Sequence, residues 1–228
     1  MTALIPQAFW FRVSASSPRV EAMPREGSAG ALLDLPAEAA VPDLAALDGR
    51  ASWASVRIGW NPNGLGIVVH ADGLGANART PDRPEGFASL SFWIDTRDTR
   101  NVSRATRYCH RFQARLTLEP NKKTLRAAVE QKPIARAMAD APLAPSSELR
   151  HRTELHKKGW RFELFLPAKA LHGYDPETNR RLGFAYQVSD GERDDQFLGV
   201  GRDFPLGENP SLWSTLELVD AVASRQSS

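Results

Sequence analysis

The sequence lacks several features that would narrow its function. It has a single cysteine, Cys109, among 228 residues, which excludes an intramolecular disulfide framework and a zinc site built from cysteines. No apolar run approaches the roughly 18 residues that a membrane helix needs. The N-terminal residues MTALIPQAFWF contain neither the basic region nor the cleavage site of an export signal. We therefore expect a cytoplasmic protein without membrane contact.

An excess of charge of one sign is also missing. The chain has 29 Lys and Arg against 27 Asp and Glu, a formal net charge of +2, so no overall positive field favours a polyanion. The hydrophobic content of 42% is sufficient for a globular core. Because neither internal repeats nor a dividing linker is evident, we predict one domain over residues 1–222 and a frayed tail over 223–228.

Alternation of apolar and polar residues predicts many half-buried strands. The alternating apolar sets are Phe9, Phe11 and Val13; Val56, Ile58 and Trp60; Leu90, Phe92 and Ile94; Phe112, Ala114, Leu116 and Leu118; Phe162, Leu164 and Leu166; Leu182, Phe184, Tyr186 and Val188; Leu216 and Leu218. Turn residues at Asn61–Gly64, Lys158–Gly159 and Asp190–Gly191 predict hairpins between strands.

Helical signals are limited to short turns at Asp43–Leu47 and Pro167–Leu171. Prolines interrupt residues Asn121–Ser147, for which we predict one strand followed by a long surface excursion. The fold class expected is therefore all-β: an antiparallel β-sandwich of two stacked sheets with one or two short helical turns.

An arginine-rich stretch follows one of these strands and imitates helical spacing. Arg97, Arg100, Arg104 and Arg107 are three or four positions apart in WIDTRDTRNVSRATRYCHRF. Strands before and after the stretch leave only about Asp98–Thr106 free, a short segment with poor helix formers. We predict strand, short helix or turn, strand.

Five segments resemble a known family. They read ASVRIGWNPNGLGIVVHADG, SLSFWIDTRD, GWRFELFLPAKAL, LGFAYQVSDGE and PSLWSTLEL, and in this order they resemble the family 9 carbohydrate-binding modules and the wider DOMON-like β-sandwiches. The resemblance covers roughly half of the chain. It implies two stacked sheets with a ligand on a concave face or at its rim.

The sequence departs from this family at the sugar site. Sugar-binding members carry one tryptophan shortly before the strand that corresponds to Ser89–Asp95 and another in the segment that corresponds to Phe197–Phe204. Here those segments read RPEGFAS and FLGVGRDF, with only Phe87 and Phe204 as aromatics, and Ser91 stands where an acid is frequent. The resemblance thus implies the sandwich more firmly than it implies sugar binding.

Strand parity nevertheless predicts a polar face that contains a tryptophan. If Leu90, Phe92 and Ile94 point into the core, Trp93 points to the other face, where an exposed indole can stack on a sugar ring. By the same parity we place four hydrogen-bonding side chains beside it: Arg111, Gln113, Glu163 and Gln187. The alternative is that the Asn121–Ser147 excursion covers Trp93, which would then pack in a second small core.

The arginine segment offers a different site. Arg97, Arg100, Arg104 and Arg107 would suit an anion such as phosphate, an acidic sugar or nucleic acid. Asp95, Asp98 and the acidic turn DGERDD could instead neutralise them as surface ion pairs. Few aromatics are interleaved with the arginines, which disfavours single-stranded nucleic acid as the partner.

Motifs for catalysis, metal binding or cofactors are weak. Cys109 and His110 are adjacent on a strand, so their side chains point to opposite faces and do not form a nucleophile and base. The acidic residues around Gly191, which are Asp190, Glu192, Asp194 and Asp195, lack the spacing of a calcium loop and read as a hairpin turn. Some DOMON-like relatives bind haem through Met and His, but nothing in the sequence brings Met138 and His110 together. We expect no enzyme, metal or cofactor.

The sequence therefore favours a non-catalytic binding module of the family 9-like type whose ligand is a carbohydrate or an anion. The alternative is an intracellular protein that uses the arginine-rich segment 97–115 on the same sandwich to contact a protein or nucleic acid.

Overall fold

The computed structural model describes residues 13–27, 30–74, 87–119 and 124–220. Within these ranges the chain forms eleven strands, which are β1 (Ser14–Pro18), β2 (Ala54–Asn61), β3 (Gly64–Asp72), β4 (Ala88–Asp95), β5 (Cys109–Leu118), β6 (Leu125–Lys132), β7 (Arg150–His156), β8 (Gly159–Pro167), β9 (Arg181–Ser189), β10 (Gln196–Phe197) and β11 (Ser214–Val219). Phe9, Phe11 and the predicted tail 223–228 lie outside the described residues.

The strands form two sheets, which confirms the predicted all-β sandwich. The large sheet has the order β1–β11–β9–β4–β5–β6, with β10 paired to β9, and the small sheet has the order β2–β3–β8–β7. Among the pairs of named strands, β1 and β11 are parallel, whereas every other pair is antiparallel. Antiparallel sheets have one face on the core and can present a polar face on the other.

The hairpins lie where the turn residues predict them. In the β2–β3 hairpin the Asn61 side chain accepts a hydrogen bond from the backbone N–H of Asn63 at 2.9 Å. Gly64 and Gly159 begin the returning strands with φ of +151° and +158°. A Cβ at either position would overlap a backbone carbonyl oxygen of the neighbouring strand, so both turns require glycine.

The core lies between the two sheets and is built from the predicted apolar faces. Its largest fully buried side chains include Trp60, Trp160, Phe92 and Phe112. Full burial of a large apolar side chain contributes about 1.5–3 kcal/mol. The alternation read from the sequence is therefore the main energetic reason for the two-layer arrangement.

Helical structure in the described chain is limited to 3-10 turns. They are Ala37–Ala39, Ala45–Asp48, Ser146–Glu148, Ala168–Ala170 and Pro210–Leu212; these five exceed the one or two predicted. The segment Asp98–Thr106 consists of turns without a helix. Within 121–147, β6 and the irregular excursion after it confirm the prediction. None of the described helices has the length and apolar character to cross a membrane.

Candidate functional site

The outer face of the large sheet is divided into an apolar end and a polar end. Leu90, Phe92 and Ile94 of β4 point into the core between the sheets. The side chains that alternate with them, Ser91, Trp93 and Asp95, therefore lie on the outer face, as predicted. An apolar cluster covers the end near Asp95, whereas polar side chains occupy the part around Ser91.

The polar part is centred on one row of side chains that crosses four neighbouring strands. Ser91 of β4 is paired with Gln187 of β9 and with Gln113 of β5, and Gln113 is paired with Glu130 of β6. We call Gln187, Ser91, Gln113 and Glu130 the polar row. Because neighbouring strands are about 4.8 Å apart, the row is about 14 Å long.

Charged neighbours fix both ends of the polar row. Glu130 forms an ion pair with Lys132 at 2.9 Å and another with Arg115 at 3.3 Å. The hydrogen bond from Lys132, together with the positive charges of both residues, lowers the pKa of Glu130. At the other end Gln187 donates a hydrogen bond to Asp195 at 3.0 Å. Gln187 and Glu130 are thus held in place before any ligand binds.

Trp93 lies in the row next to the polar row but is not exposed. Only 3% of its surface is accessible, and it packs in an outer cluster with Ala105, Cys109, Ile134, Ala185, Phe197, Val200, Leu206 and Trp213. A Cβ placed on Gly207 would lie 3.5 Å from Trp93 Cζ2, so that backbone lies close to the ring. The prediction of an exposed indole is wrong and the alternative of a second small core is confirmed, because the excursion after β6 and the segment 197–213 cover Trp93.

Arg111 lies against the covered tryptophan and has an unused donor. Its guanidinium carbon is 5.7 Å from the centre of the Trp93 ring, a cation–π distance. The Nε atom of Arg111 and the Nε1 atom of Trp93 are both buried without a hydrogen-bond partner among the described residues. Burial lowers the pKa of Arg111. A buried donor without a partner costs about 1–3 kcal/mol.

Glu163 is not part of this face, and its predicted position is wrong. It lies on β8, in the small sheet, and is 2% exposed. Its carboxylate accepts hydrogen bonds from the backbone N–H groups of Leu32 at 2.6 Å and Leu33 at 3.1 Å, and from Arg161 at 2.5 Å. The alternation within one strand predicts the side on which a residue lies, but not the sheet to which the strand belongs. Glu163 therefore fastens the segment around Leu33 to the outer face of the small sheet.

The four arginines of the anion alternative do not form one patch. Arg97 lies 4.9 Å from the ring of Tyr108, and Arg100 pairs with Asp98 at 3.2 Å. Arg104 donates to the backbone oxygen of Arg136 at 2.8 Å, and Arg107 is exposed. The segment that carries them has turns and irregular backbone, as predicted, and the four side chains have different surroundings.

Cys109 and His110 point to opposite faces, as predicted. Cys109 belongs to the outer cluster, and burial raises the pKa of its thiol to about 11. His110 is buried on the inner side, where its Nε2 donates to the His172 carbonyl at 3.2 Å and its Nδ1 accepts from Gln131 at 3.1 Å. Burial lowers the pKa of His110 to about 4. The two groups do not form a nucleophile and its base.

The acidic residues around Gly191 shape a turn, and Met138 and His110 lie apart. Asp190 accepts hydrogen bonds from the N–H groups of Glu192 at 3.0 Å and Arg193 at 2.8 Å, which shapes the turn. Met138 is 67% exposed whereas His110 is buried, so they do not face one another. Across the described ranges, no group of three or more His, Cys, Asp and Glu side chains is placed to hold a metal ion.

Sequence reasoning missed two residues of this face, Glu130 and Lys132. Both lie on β6, where they are register partners of Gln113 and Arg111. The alternation of Leu125, Ala127 and Val129 with the residues between them is a signal for this strand. Only the pairing register shows which residues become neighbours.

The fold resembles solved carbohydrate-binding modules. A family 9 carbohydrate-binding module from Caldicellulosiruptor kristjanssonii in complex with cellotriose has 14% identity and a TM-score of 0.55, with 95% of this chain and 98% of that chain covered. A family 9 module from the same organism in complex with glucose has 15% identity and a TM-score of 0.53, with 96% and 100% covered. Neither protein-family models nor curated proteins give a match. The predicted resemblance is thus confirmed for the fold.

Proposed function

We propose that the chain is a non-catalytic carbohydrate-binding module whose ligand lies along the polar row. The observation that carries the proposal is the register of Gln187, Ser91, Gln113 and Glu130, which aligns four polar side chains across one sheet face. The structures with the same fold that were solved with cellotriose and glucose support a sugar as the ligand.

The chemistry of the polar row suits hydroxyl groups. The amides of Gln113 and Gln187 can donate and accept hydrogen bonds, the Ser91 hydroxyl can do either, and the Glu130 carboxylate accepts. A sugar hydroxyl also donates and accepts, so the partly exposed Gln113, Gln187 and Glu130 can each pair with one. Ser91 is only 7% exposed and lies beneath them at the centre of the row. With Trp93 covered, binding depends on hydrogen bonds more than on stacking, and we expect modest affinity. Arg111 lies beside the row and is partly exposed, so guanidinium nitrogens other than the buried Nε can add donors.

The row is not suited to glycoside hydrolysis. That reaction needs a carboxylic acid whose pKa is raised so that it can protonate the leaving group. The pKa of Glu130 is instead lowered by Lys132 and Arg115, which keeps it ionised. Binding without bond cleavage is the use that this electrostatic arrangement favours.

Calorimetry with neutral oligosaccharides tests the proposal. We expect Gln113→Ala and Gln187→Ala each to weaken binding about tenfold, because each removes one or two hydrogen bonds at about 1 kcal/mol apiece. Thr117→Ala is the matched control, since Thr117 is exposed on the same face of β5, about 13 Å from Gln113. Equal binding by all three variants would place the sugar elsewhere.

The interaction-protein alternative keeps one supporting observation. Met138 and Leu143 on the excursion after β6 are 67% and 56% exposed, the highest values among the large apolar side chains of the described residues. A protein partner could cover them, whereas the dispersed arginines of 97–115 give little support for nucleic acid. Retention on heparin that falls steeply with salt would favour a polyanion. The cytoplasmic location stays a prediction.

A further inference from the structure

A second polar site lies on the outer side of the loops that cover Trp93. These loops enclose a cleft of about 370 Å³ lined by Ser103, Arg104, Arg136, Pro205, Glu208 and Asn209. Small-molecule sites range from about 300 to 1,000 Å³. We call it the arginine cleft. Its lining comes from three separate chain segments and includes no residue of the polar row.

The first guanidinium of the cleft is held in place without a counter-charge. Arg104 donates from Nε to the carbonyl of Arg136 at 2.8 Å and from Nη2 to that of Ala137 at 3.3 Å. In the described part of the chain, no carboxylate lies within ion-pair distance of Arg104. Two carbonyls orient the group but leave its positive charge and its remaining donors available.

The second guanidinium stands on an unusual backbone. Arg136 has φ of +57°, in the left-handed region, although it is not glycine. Such a conformation costs of order 1 kcal/mol and recurs at ligand sites. It directs the Arg136 carbonyl to Arg104. The N–H of Met138 donates to the Ala105 carbonyl at 2.7 Å, which ties the two loops together.

The third segment supplies further donors and one weak competitor. The oxygen of the Asn209 side chain accepts from the N–H of Ser211 at 3.0 Å and from its hydroxyl at 2.7 Å. The Asn209 amide nitrogen is then the group left to serve a ligand. Glu208 Oε2 is 3.6 Å from Nη1 of Arg136, and the Arg136 side chain is 82% exposed. An ion pair so exposed contributes little, and an incoming anion can replace it.

We propose that the arginine cleft binds a small oxyanion, the carboxylate or phosphate group of a ligand. Two arginines, Asn209 and Ser103 line the cleft as donors, and with Glu208 as the one carboxylate of the lining the site keeps a net positive charge. Arginine suits both anions because its planar donors pair with two oxygens at once. The proposal does not depend on sugar binding at the polar row.

Calorimetry on the full chain at low ionic strength tests this, with inorganic phosphate and glucuronate as probes. We expect binding of at least one probe, and Arg136→Gln should weaken it about tenfold because a charge-assisted pair is lost. Glu208→Gln should strengthen it several-fold, since the competing carboxylate is removed. Arg126→Gln is the control: Arg126 is 71% exposed at the far end of β6 and should leave binding unchanged.

The probes and variants separate the outcomes. Binding of phosphate alone indicates a phosphorylated ligand, and binding of glucuronate alone indicates an acidic sugar. Gln113→Ala should leave phosphate binding unchanged, and Arg136→Gln should leave the binding of neutral oligosaccharides unchanged, so failure of the polar row and failure of the cleft are distinguishable. The proposal is overturned if neither probe binds, or if Arg136→Gln binds as tightly as the parent chain.

Discussion

Replacement of Trp93 separates a packing role from a sugar-stacking role. The side chain is 3% exposed and lies in the outer cluster, so Trp93→Ala leaves a cavity there. The same residue is the one that the sequence predicted to stack on a sugar. Truncation of a large buried aromatic costs about 3–5 kcal/mol. For a chain of this length that corresponds to a melting temperature lower by about 6–20 °C.

Trp93→Phe is the informative partner of this variant. It removes some buried area, but it also removes the indole N–H, which is buried without a partner among the described residues. Relief of such a group is worth about 1–3 kcal/mol, which offsets much of the lost packing. We expect Trp93→Phe to unfold within about 1 kcal/mol of the parent chain.

Thermal unfolding and chemical denaturation of the three proteins measure these effects. A melting temperature of Trp93→Ala equal to that of the parent would refute the buried position. Equal destabilisation by both variants would mean that the indole N–H does form a hydrogen bond. If the ring is only a packing element, Trp93→Phe should bind neutral oligosaccharides like the parent chain, and a large loss of affinity would restore the stacking role.

Three further predictions concern buried polar groups. Glu163→Ala should destabilise by about 3–5 kcal/mol in denaturant unfolding, because Arg161 and two backbone N–H groups lose their acceptor; the exposed control Glu154→Ala should change stability by less than about 0.5 kcal/mol. The pKa of His110 is about 4 in the folded chain and about 6.5 when unfolded. The unfolded state therefore takes up the proton first, and stability falls as pH decreases from 6.5 towards 4, by up to about 3 kcal/mol. A pH series should show this loss reduced in His110→Gln, and parallel curves would contradict it. Burial and the raised thiol pKa of Cys109, about 11, predict slow labelling by a thiol reagent at neutral pH, and labelling that is equally fast before and after denaturation would show an accessible thiol.

The sequence predicts the sandwich well because alternation and turn residues act locally. The β2–β3 hairpin follows from Asn61–Gly64, and the core face of β4 follows from Leu90, Phe92 and Ile94. Each of these signals lies within one strand or one turn and needs no knowledge of distant neighbours. The two-sheet arrangement is then the way to bury all of the apolar strand faces at once.

The site is less predictable because it depends on which strands become neighbours. Gln113 and Gln187 lie beside Ser91 because their strands pair with β4 in the same sheet. Glu163 has the same parity but belongs to the small sheet. The burial of Trp93 is set by loops that are distant in sequence, and loop packing has no period to read.

The segment that covers Trp93 also forms one wall of the arginine cleft. Leu206 and Trp213 complete the apolar cluster on the inner side of one segment, and the Trp213 indole donates to the Leu206 carbonyl at 2.8 Å. From the same segment Pro205, Glu208 and Asn209 form a wall of the arginine cleft. Because the apolar residues of this segment bury the Trp93 indole, the polar residues of the same segment face solvent beside Arg104 and Arg136. The burial of Trp93 and the formation of the arginine cleft are therefore two consequences of one packing arrangement, and variants that loosen it should impair anion binding together with stability.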